Sequence, residues 1–200
     1  SYTYRDDGQV ATTTAPDGGV TTNTYDSAGR LWKVTDPRGI ESRTTYDLLG
    51  QTLKTVENYV NGTVSDADDK TTEYTYSAAG LTSLTAKLTG GGGQTTEWVY
   101  GVTQSGSSPT SAIDSNDIVG ATRWPNPSTG AASSGQQETV RVNALGQPLV
   151  TTDRNGTVHT LTYDVLGRVT VDTVTTLGSG VDGSVRRIET AYDGQGNAYL

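Results

Sequence analysis

The sequence predicts an all-β chain of tandem antiparallel β-hairpins that join into one continuous meander. Three observations lead to this prediction. A short motif that ends in glycine recurs along the chain, and turn-forming residues fall about every ten residues. The composition is also typical of strands and turns, since threonine supplies 36 of the 200 residues and glycine another 25. The segments between the turns show no helical periodicity.

The recurring motif is an anchor residue, usually tyrosine, followed four residues later by glycine, and we call each copy a signature turn. The copies contain Tyr4 and Gly8; Tyr25, Asp26, Gly29 and Arg30; Tyr46, Asp47 and Gly50; Tyr76 and Gly80; Val142 and Gly146; Tyr163, Asp164, Gly167 and Arg168; and Tyr192, Asp193 and Gly196. Tyr100 is an eighth anchor whose copy is degraded, because Gln104 stands at the glycine position.

The spacing of the anchors sets the length of the unit. Successive anchors are 21, 21, 30, 24, 42, 21 and 29 residues apart, so the commonest unit has 21 residues. The interval of 42 residues is twice this length. It therefore predicts one further unit near Ala121 that has lost its motif, and about nine units in all.

Each unit has a second turn about halfway along, which we call a midway turn. Examples are Pro16-Asp17-Gly18-Gly19, Asp36-Pro37-Arg38-Gly39, Asn61-Gly62 and Arg154-Asn155-Gly156. Asn-Gly and Asp-Gly pairs adopt the positive φ angles that tight hairpins need. Two strands and two turns per unit make one hairpin per unit.

Each residue of the motif has a predicted mechanical role. The tyrosine closes a strand, and its ring stacks on the tyrosine of the next unit. The aspartate accepts backbone N–H bonds from two positions on. The glycine takes a left-handed conformation, and the arginine after it begins the next strand. Gly167→Ala should therefore cost more stability than Gly91→Ala, since Gly91 lies in a flexible-looking run of four glycines.

These residues carry a resemblance to a known family. Tyr-Asp-x-x-Gly-Arg-Leu/Val at intervals of about 21 residues resembles the YD repeat of Rhs proteins, of teneurins and of the shells of insecticidal toxin complexes. The resemblance divides the chain into a repeat array over 1–100, a degenerate part with insertions over 101–138 and a second array over 139–200. In the family such strands wind into a spiral that walls a hollow shell.

The resemblance implies a non-catalytic structural segment of a secreted or cell-surface protein. Such a segment would form part of a β-shell wall that encloses or presents a toxin or other cargo. Its partners would be further repeats of the same longer chain, copies of itself end to end, or an enclosed toxin domain. No segment matches the family's self-cleaving closure or its toxin. The alternative is a surface adhesion, filament-forming or carbohydrate-binding array, in which tyrosines and tryptophans would contact glycans.

Other classes of function find little support in the sequence. The net charge of −8 disfavours binding to nucleic acid or to an anionic membrane, and no apolar stretch is long enough for membrane insertion. Cysteine is absent, and His159, the single histidine, is expected to be an ordinary strand residue. Gly178-Ser179-Gly180-Val181-Asp182-Gly183 fits a dinucleotide motif but precedes a predicted strand, so we expect a hairpin loop. We expect no enzyme activity and no cofactor.

Two acidic loops are weak calcium candidates, because alternating Asp and Asn side chains can supply oxygen ligands. The first contains Asp66, Asp68 and Asp69, and the second contains Asp114 and Asp117. Neither loop has the glycine and the distal glutamate of the twelve-residue calcium loop, and solvated turns remain the expectation for both.

Overall fold

The computed structural model describes residues 1–65, 67–106 and 110–199. These residues form seventeen strands and no helix, so the described part of the chain has no helix that could span a membrane. The all-β prediction is confirmed. Most strands are short, because turns that contain glycine interrupt the chain at short intervals.

The strands are numbered in chain order. They are β1 Tyr2–Tyr4, β2 Val10–Thr14, β3 Val20–Tyr25, β4 Leu31–Thr35, β5 Glu41–Tyr46, β6 Thr52–Tyr59, β7 Lys70–Ser77, β8 Gly80–Lys87, β9 Gly93–Val102, β10 Ser115–Pro125, β11 Ala132–Val142, β12 Pro148–Thr152, β13 Val158–Tyr163, β14 Val169–Thr176, β15 Arg187–Glu189, β16 Ala191–Tyr192 and β17 Ala198–Tyr199.

The strands β1 to β15 form one sheet whose order is the order of the sequence, and β16 pairs with β17 in a separate two-stranded sheet. The hairpin pairs are antiparallel, as predicted for a meander. The register shifts immediately before Tyr4, Tyr25, Tyr46, Val142 and Tyr163. The pairs joined by the midway turns of β2–β3, β4–β5 and β12–β13 have no such shift. A bulge therefore accompanies the signature turns and re-aims their anchor side chains.

Contacts divide the chain into two compact units. The first contains Ser1–Thr75 and Ser83–Thr95, and its buried hydrophobic residues are Val56 and Tyr59. The second contains Tyr76–Thr82 and the described residues from Thr96 onward, and its buried hydrophobic residues are Val102, Val142 and Val150. Each unit thus has a small apolar core among its described residues.

The prediction of a lost unit near Ala121 is wrong. Ala121 lies inside β10, and the described residues between Tyr100 and Val142 form a single hairpin, β10 with β11. Both of its strands have 11 residues, against 5 and 6 residues for β12 and β13. A long connection from residue 103 to residue 114 takes up the rest of the interval. The chain accordingly has eight anchors and no additional unit between Tyr100 and Val142 in its described residues. The spacing was misleading because a hairpin with longer strands and a long connection lengthens the interval as much as an extra repeat would.

The glycines of the seven signature turns all have positive φ, from 77° at Gly29 to 137° at Gly80. Gly91 also has a positive φ of 98°, so its replacement by alanine is strained as well, and Gly91 is not a strain-free control. In the midway turns glycine alone has positive φ, since Asn58 is the single non-glycine residue with positive φ in the described part of the chain. These turns are therefore type I turns followed by a left-handed glycine, and not tight Asn-Gly turns of type I′.

Candidate functional site

Five of the seven signature turns are held by one acceptor oxygen each. Oδ1 of Asp26 accepts the backbone N–H groups of Ala28 and Arg30, both at 2.9 Å. The same pair of bonds is made by the side chains of Asp47, Asn143, Asp164 and Asp193. Asn143 shows why the copy after Val142 works without aspartate, since an amide oxygen accepts the same bonds.

An arginine after the glycine binds the aspartate of its own turn. Nε of Arg30 donates to Oδ2 of Asp26 at 2.7 Å, and Nε of Arg168 donates to Oδ2 of Asp164 at 2.7 Å. The backbone N–H of Arg30 lowers the pKa of Asp26 and that of Arg168 lowers the pKa of Asp164, and both guanidinium groups add to the effect. These carboxylates therefore stay charged in the folded turn.

The residue after the glycine also reaches the next signature turn. Nε2 of Gln9 donates to the carbonyl oxygen of Gly29 at 2.8 Å, and Nε2 of Gln147 donates to that of Gly167 at 2.8 Å. Nη1 of Arg30 donates to the carbonyl oxygen of Asp47 at 2.6 Å. A long side-chain donor at this position therefore joins one turn to the following one.

The anchor tyrosines provide a second link, from one signature turn to the strand that follows the preceding signature turn. In four copies the hydroxyl donates to the backbone carbonyl of the residue that stands two positions after the preceding signature glycine. The pairs are Tyr25 with Val10 at 2.9 Å, Tyr46 with Leu31 at 2.7 Å, Tyr192 with Val169 at 2.8 Å, and Tyr163 with Pro148. Each of these bonds thus joins an anchor tyrosine to the first residue of the strand that follows the preceding signature turn.

Arginine side chains lie over the rings where we expected tyrosine stacking. The guanidinium carbon of Arg5 is 5.0 Å from the ring centroid of Tyr25, that of Arg30 is 4.8 Å from Tyr46, and that of Arg168 is 4.1 Å from Tyr192. Anchors of neighbouring units are two strands apart, about 9 to 10 Å, which exceeds the distance at which rings stack. The stacking expectation is therefore wrong for these three anchors, and the contact is a cation–π contact.

We call this combination of turn-to-turn donors, tyrosine hydroxyl bonds and arginine–ring contacts the turn ladder. Its bonds from one turn to the next were not predicted from the sequence. A signal was present, since in five of the seven copies the position after the signature glycine holds a long side chain with N–H donors, namely Gln9, Arg30, Gln51, Gln147 and Arg168. The chemical capacity of the ladder is to bind hairpin to hairpin.

Two copies depart from the pattern. Gly80 begins β8 instead of ending a turn, and a Cβ built on it would lie 2.8 Å from the hydroxyl oxygen of Tyr100. Tyr100 lies within β9, which continues to Val102, so this anchor does not close its strand. Tyr100 nevertheless lies against Gly80, the preceding signature glycine. Glycine is required at position 80 because a side chain there would displace the ring of Tyr100.

The long connection after β9 packs against the signature turn at Val142. Ser111 is 3% exposed, and its Oγ accepts the backbone N–H of Val142 at 3.1 Å. The N–H of Ala112 donates to the carbonyl oxygen of Val142 at 2.7 Å. A stretch that looked degenerate in the sequence therefore supplies both backbone bonds of this anchor residue.

The remaining motifs lie in ordinary positions. Residues 178–183 form a loop between β14 and β15, with no helix to receive a pyrophosphate. His159 lies in β13, where its Nδ1 is 2.8 Å from Oδ1 of Asp172. No hydroxyl in the described residues hydrogen-bonds its other ring nitrogen, so the geometry does not complete a catalytic triad.

The two calcium candidates differ in their surroundings. Asp66 lies outside the described residues, while Asp69 is buried and Asp68 is exposed. Asp114 and Asp117 are exposed, and Oδ1 of Asp114 accepts the N–H of Gln104 at 2.8 Å. Within the described ranges no three His, Cys, Asp or Glu side chains form a group that could hold a metal.

The comparison with known proteins agrees with the turn pattern. A family model described as RHS Repeat matches residues 4–41, which contain the first two signature turns. Residues 4–41 are therefore similar to an RHS repeat. No curated protein matches the sequence.

The chain is also similar to solved structures of TcdB2-TccC3 proteins and of a Tc holotoxin. The crystal structure of TcdB2-TccC3-TEV is 17% identical, with a TM-score of 0.59, and the match covers 96% of this chain and 9% of that chain. The crystal structure of TcdB2-TccC3-Cdc42 is 14% identical, with a TM-score of 0.48, over 99% of this chain and 11% of that chain. The Photorhabdus luminescens Tc holotoxin pore is 16% identical, with a TM-score of 0.47, over the same shares. The first of these shows a shared fold, and the chain spans about a tenth of the length of these structures.

Proposed function

We propose that this chain is a non-catalytic wall segment of a secreted or cell-surface RHS-type protein, whose β-sheet encloses or presents a toxin or other cargo. The turn ladder is the observation that carries the proposal. Its bonds join each hairpin to the next through positions that recur in every standard unit, so the same contacts can extend a sheet one hairpin at a time. The RHS repeat over residues 4–41 and the fold shared with a toxin-complex structure support it.

Further repeats of the same longer chain are the partners that fit the ladder. The hydroxyl of Tyr4 makes no hydrogen bond to the described residues, and the side chain is 62% exposed. The hydroxyls of Tyr25 and Tyr46 each bind a carbonyl of the preceding strand. The acceptor of Tyr4 would therefore be a carbonyl of an earlier strand, paired with β1. Such a strand would also cover the open edge of β1.

A glycan-binding array is less well supported. Sugar recognition by stacking needs open aromatic faces, but cations lie over two of the three tryptophans. The guanidinium carbon of Arg43 is 5.8 Å from the ring centroid of Trp32, and that of Arg154 is 5.8 Å from Trp124.

The test uses the full-length protein that contains this chain. In rising denaturant, an added protease should cut an enclosed cargo only after the wall loosens. Arg30→Ala, which removes a ladder bond, should lower the denaturant concentration at which the cargo becomes cleavable. Arg38→Ala is the matched control, because Arg38 pairs with Asp36 in a midway turn and is 76% exposed. A cargo that is cut without denaturant as fast as the free cargo would contradict enclosure.

A further inference from the structure

The insertion between β6 and β7 ends at two buried polar atoms that have no partner. Asp69 is 7% exposed and Thr71 is 2% exposed. Neither Oδ1 of Asp69 nor Oγ1 of Thr71 makes a hydrogen bond. Asp69 immediately precedes β7 and Thr71 is the second residue of that strand, so in extended backbone both side chains face the same side. Buried polar atoms of this kind are normally satisfied by a protein group, water or an ion.

The charge of this loop is also unbalanced. Oδ2 of Asp69 accepts the N–H of Ser65 at 2.9 Å, and Oδ2 of Asp68 accepts the amide of Asn61 at 2.6 Å. Neither carboxylate forms an ion pair with any of the described residues. A buried carboxylate oxygen without a cation is costly, so the position favours a positively charged ligand.

We propose that Asp69 Oδ1 and Thr71 Oγ1 are ligands of a calcium ion held beneath this insertion loop. Both available ligand atoms are oxygens, which calcium prefers, and the Asp69 carboxylate supplies a negative charge. Backbone carbonyls and water complete calcium sites with few side-chain ligands. Magnesium fits less well, because it demands near-ideal octahedral geometry and keeps several of its waters.

The other acidic loop offers a contrast within the same chain. Asp114 and Asp117 are exposed, and Asp114 already accepts a backbone N–H from Gln104. No buried unpaired oxygen lies on either residue. Asp114→Asn is therefore a matched control that removes a loop carboxylate without touching the proposed site.

The experiment is a thermal melt of the chain in chelator and in calcium chloride. Calcium at about a hundred times its dissociation constant should raise Tm by about 5 °C or more. Asp69→Asn should abolish this shift, and in chelator it should be at least as stable as the wild type because a buried charge has been removed. Thr71→Val should move the calcium titration to higher concentration while folding normally in chelator.

Several outcomes would overturn the proposal. If millimolar calcium leaves the wild-type Tm unchanged, water and not calcium satisfies Asp69 Oδ1 and Thr71 Oγ1. A shift that persists in Asp69→Asn, or is lost in Asp114→Asn, would place the ion elsewhere. An Asp69→Asn variant that is destabilised equally with and without calcium would assign Asp69 a structural role, and an equal response to magnesium would exclude a calcium site.

Discussion

At the scale of single residues, the anchor tyrosine combines two functions that its ring and its hydroxyl perform separately. The ring of Tyr25 lies under the guanidinium of Arg5, while its hydroxyl binds the carbonyl of Val10. Phenylalanine would keep the ring contact and lose the bond. The hydroxyl bond therefore explains why the anchor is tyrosine and not phenylalanine.

Tyr25→Phe should lower the free energy of unfolding by about 1 kcal/mol, because the carbonyl of Val10 loses a partly buried donor. Tyr4→Phe is the matched control, since its hydroxyl is free of partners in the described residues, and it should change stability by less than about 0.5 kcal/mol. Urea melts measure both. Equal effects would show that the hydroxyl bond contributes nothing.

Gly167→Ala should cost about 1 kcal/mol or more, since Gly167 has a φ of 79°. The added Cβ would also lie 2.9 Å from Nε2 of Gln147, which must then release the carbonyl of Gly167. Gly194→Ala is a better control than Gly91→Ala, because Gly194 has no positive φ and open space around its Cβ position. Chemical denaturation should show little or no loss for Gly194→Ala, and comparable losses at the two sites would contradict the turn assignment.

At the scale of the elements, a signature turn is a bulged hairpin end whose two strands are linked to the next hairpin by side chains. The midway turns share the left-handed glycine but lack the register shift. One edge of the meander is therefore specialised for contacts between units. The long connection after β9 serves the same edge, since Ser111 binds the anchor residue Val142.

Ser111→Ala should cost about 1 to 3 kcal/mol, because it leaves the buried N–H of Val142 without an acceptor. Ser115→Ala removes an exposed bond to the N–H of Asp117 and should stay within about 0.5 kcal/mol of the wild type. Thermal and urea unfolding would test both variants. A neutral Ser111→Ala would mean that the connection does not brace this turn.

At the scale of the whole molecule, acid should unfold the chain through its turns. Backbone N–H bonds from Arg30 and Arg168 lower the pKa values of Asp26 and Asp164, and side-chain and backbone bonds from Asn197 lower that of Asp193. The unfolded chain then binds more protons than the folded chain, so stability rises with pH. This contribution is fully present above the unfolded value of about 3.9 and is lost as pH falls through the lower folded values.

Tm should therefore be nearly constant above about pH 5 and fall steeply below about pH 4. Asp164→Asn should keep the turn, as Asn143 does in its own copy, and should show a shallower fall. Melts across this pH range provide the measurement. An unchanged slope in the variant, or a Tm that rises on acidification, would contradict the assignment.

The all-β class, the 21-residue period and the positions of the turn glycines can be predicted from the sequence alone. These features are encoded within about five residues, because the aspartate–backbone bonds and the left-handed glycine close a turn without help from distant parts of the chain. Three features follow only from the tertiary structure: the described residues between Tyr100 and Val142 form one long hairpin, the hydroxyls of Tyr25 and Tyr46 bind carbonyls of the neighbouring strand, and Asp69 is buried. Each of these depends on the register and the bulges that bring distant strands together, which the local pattern of residues does not specify.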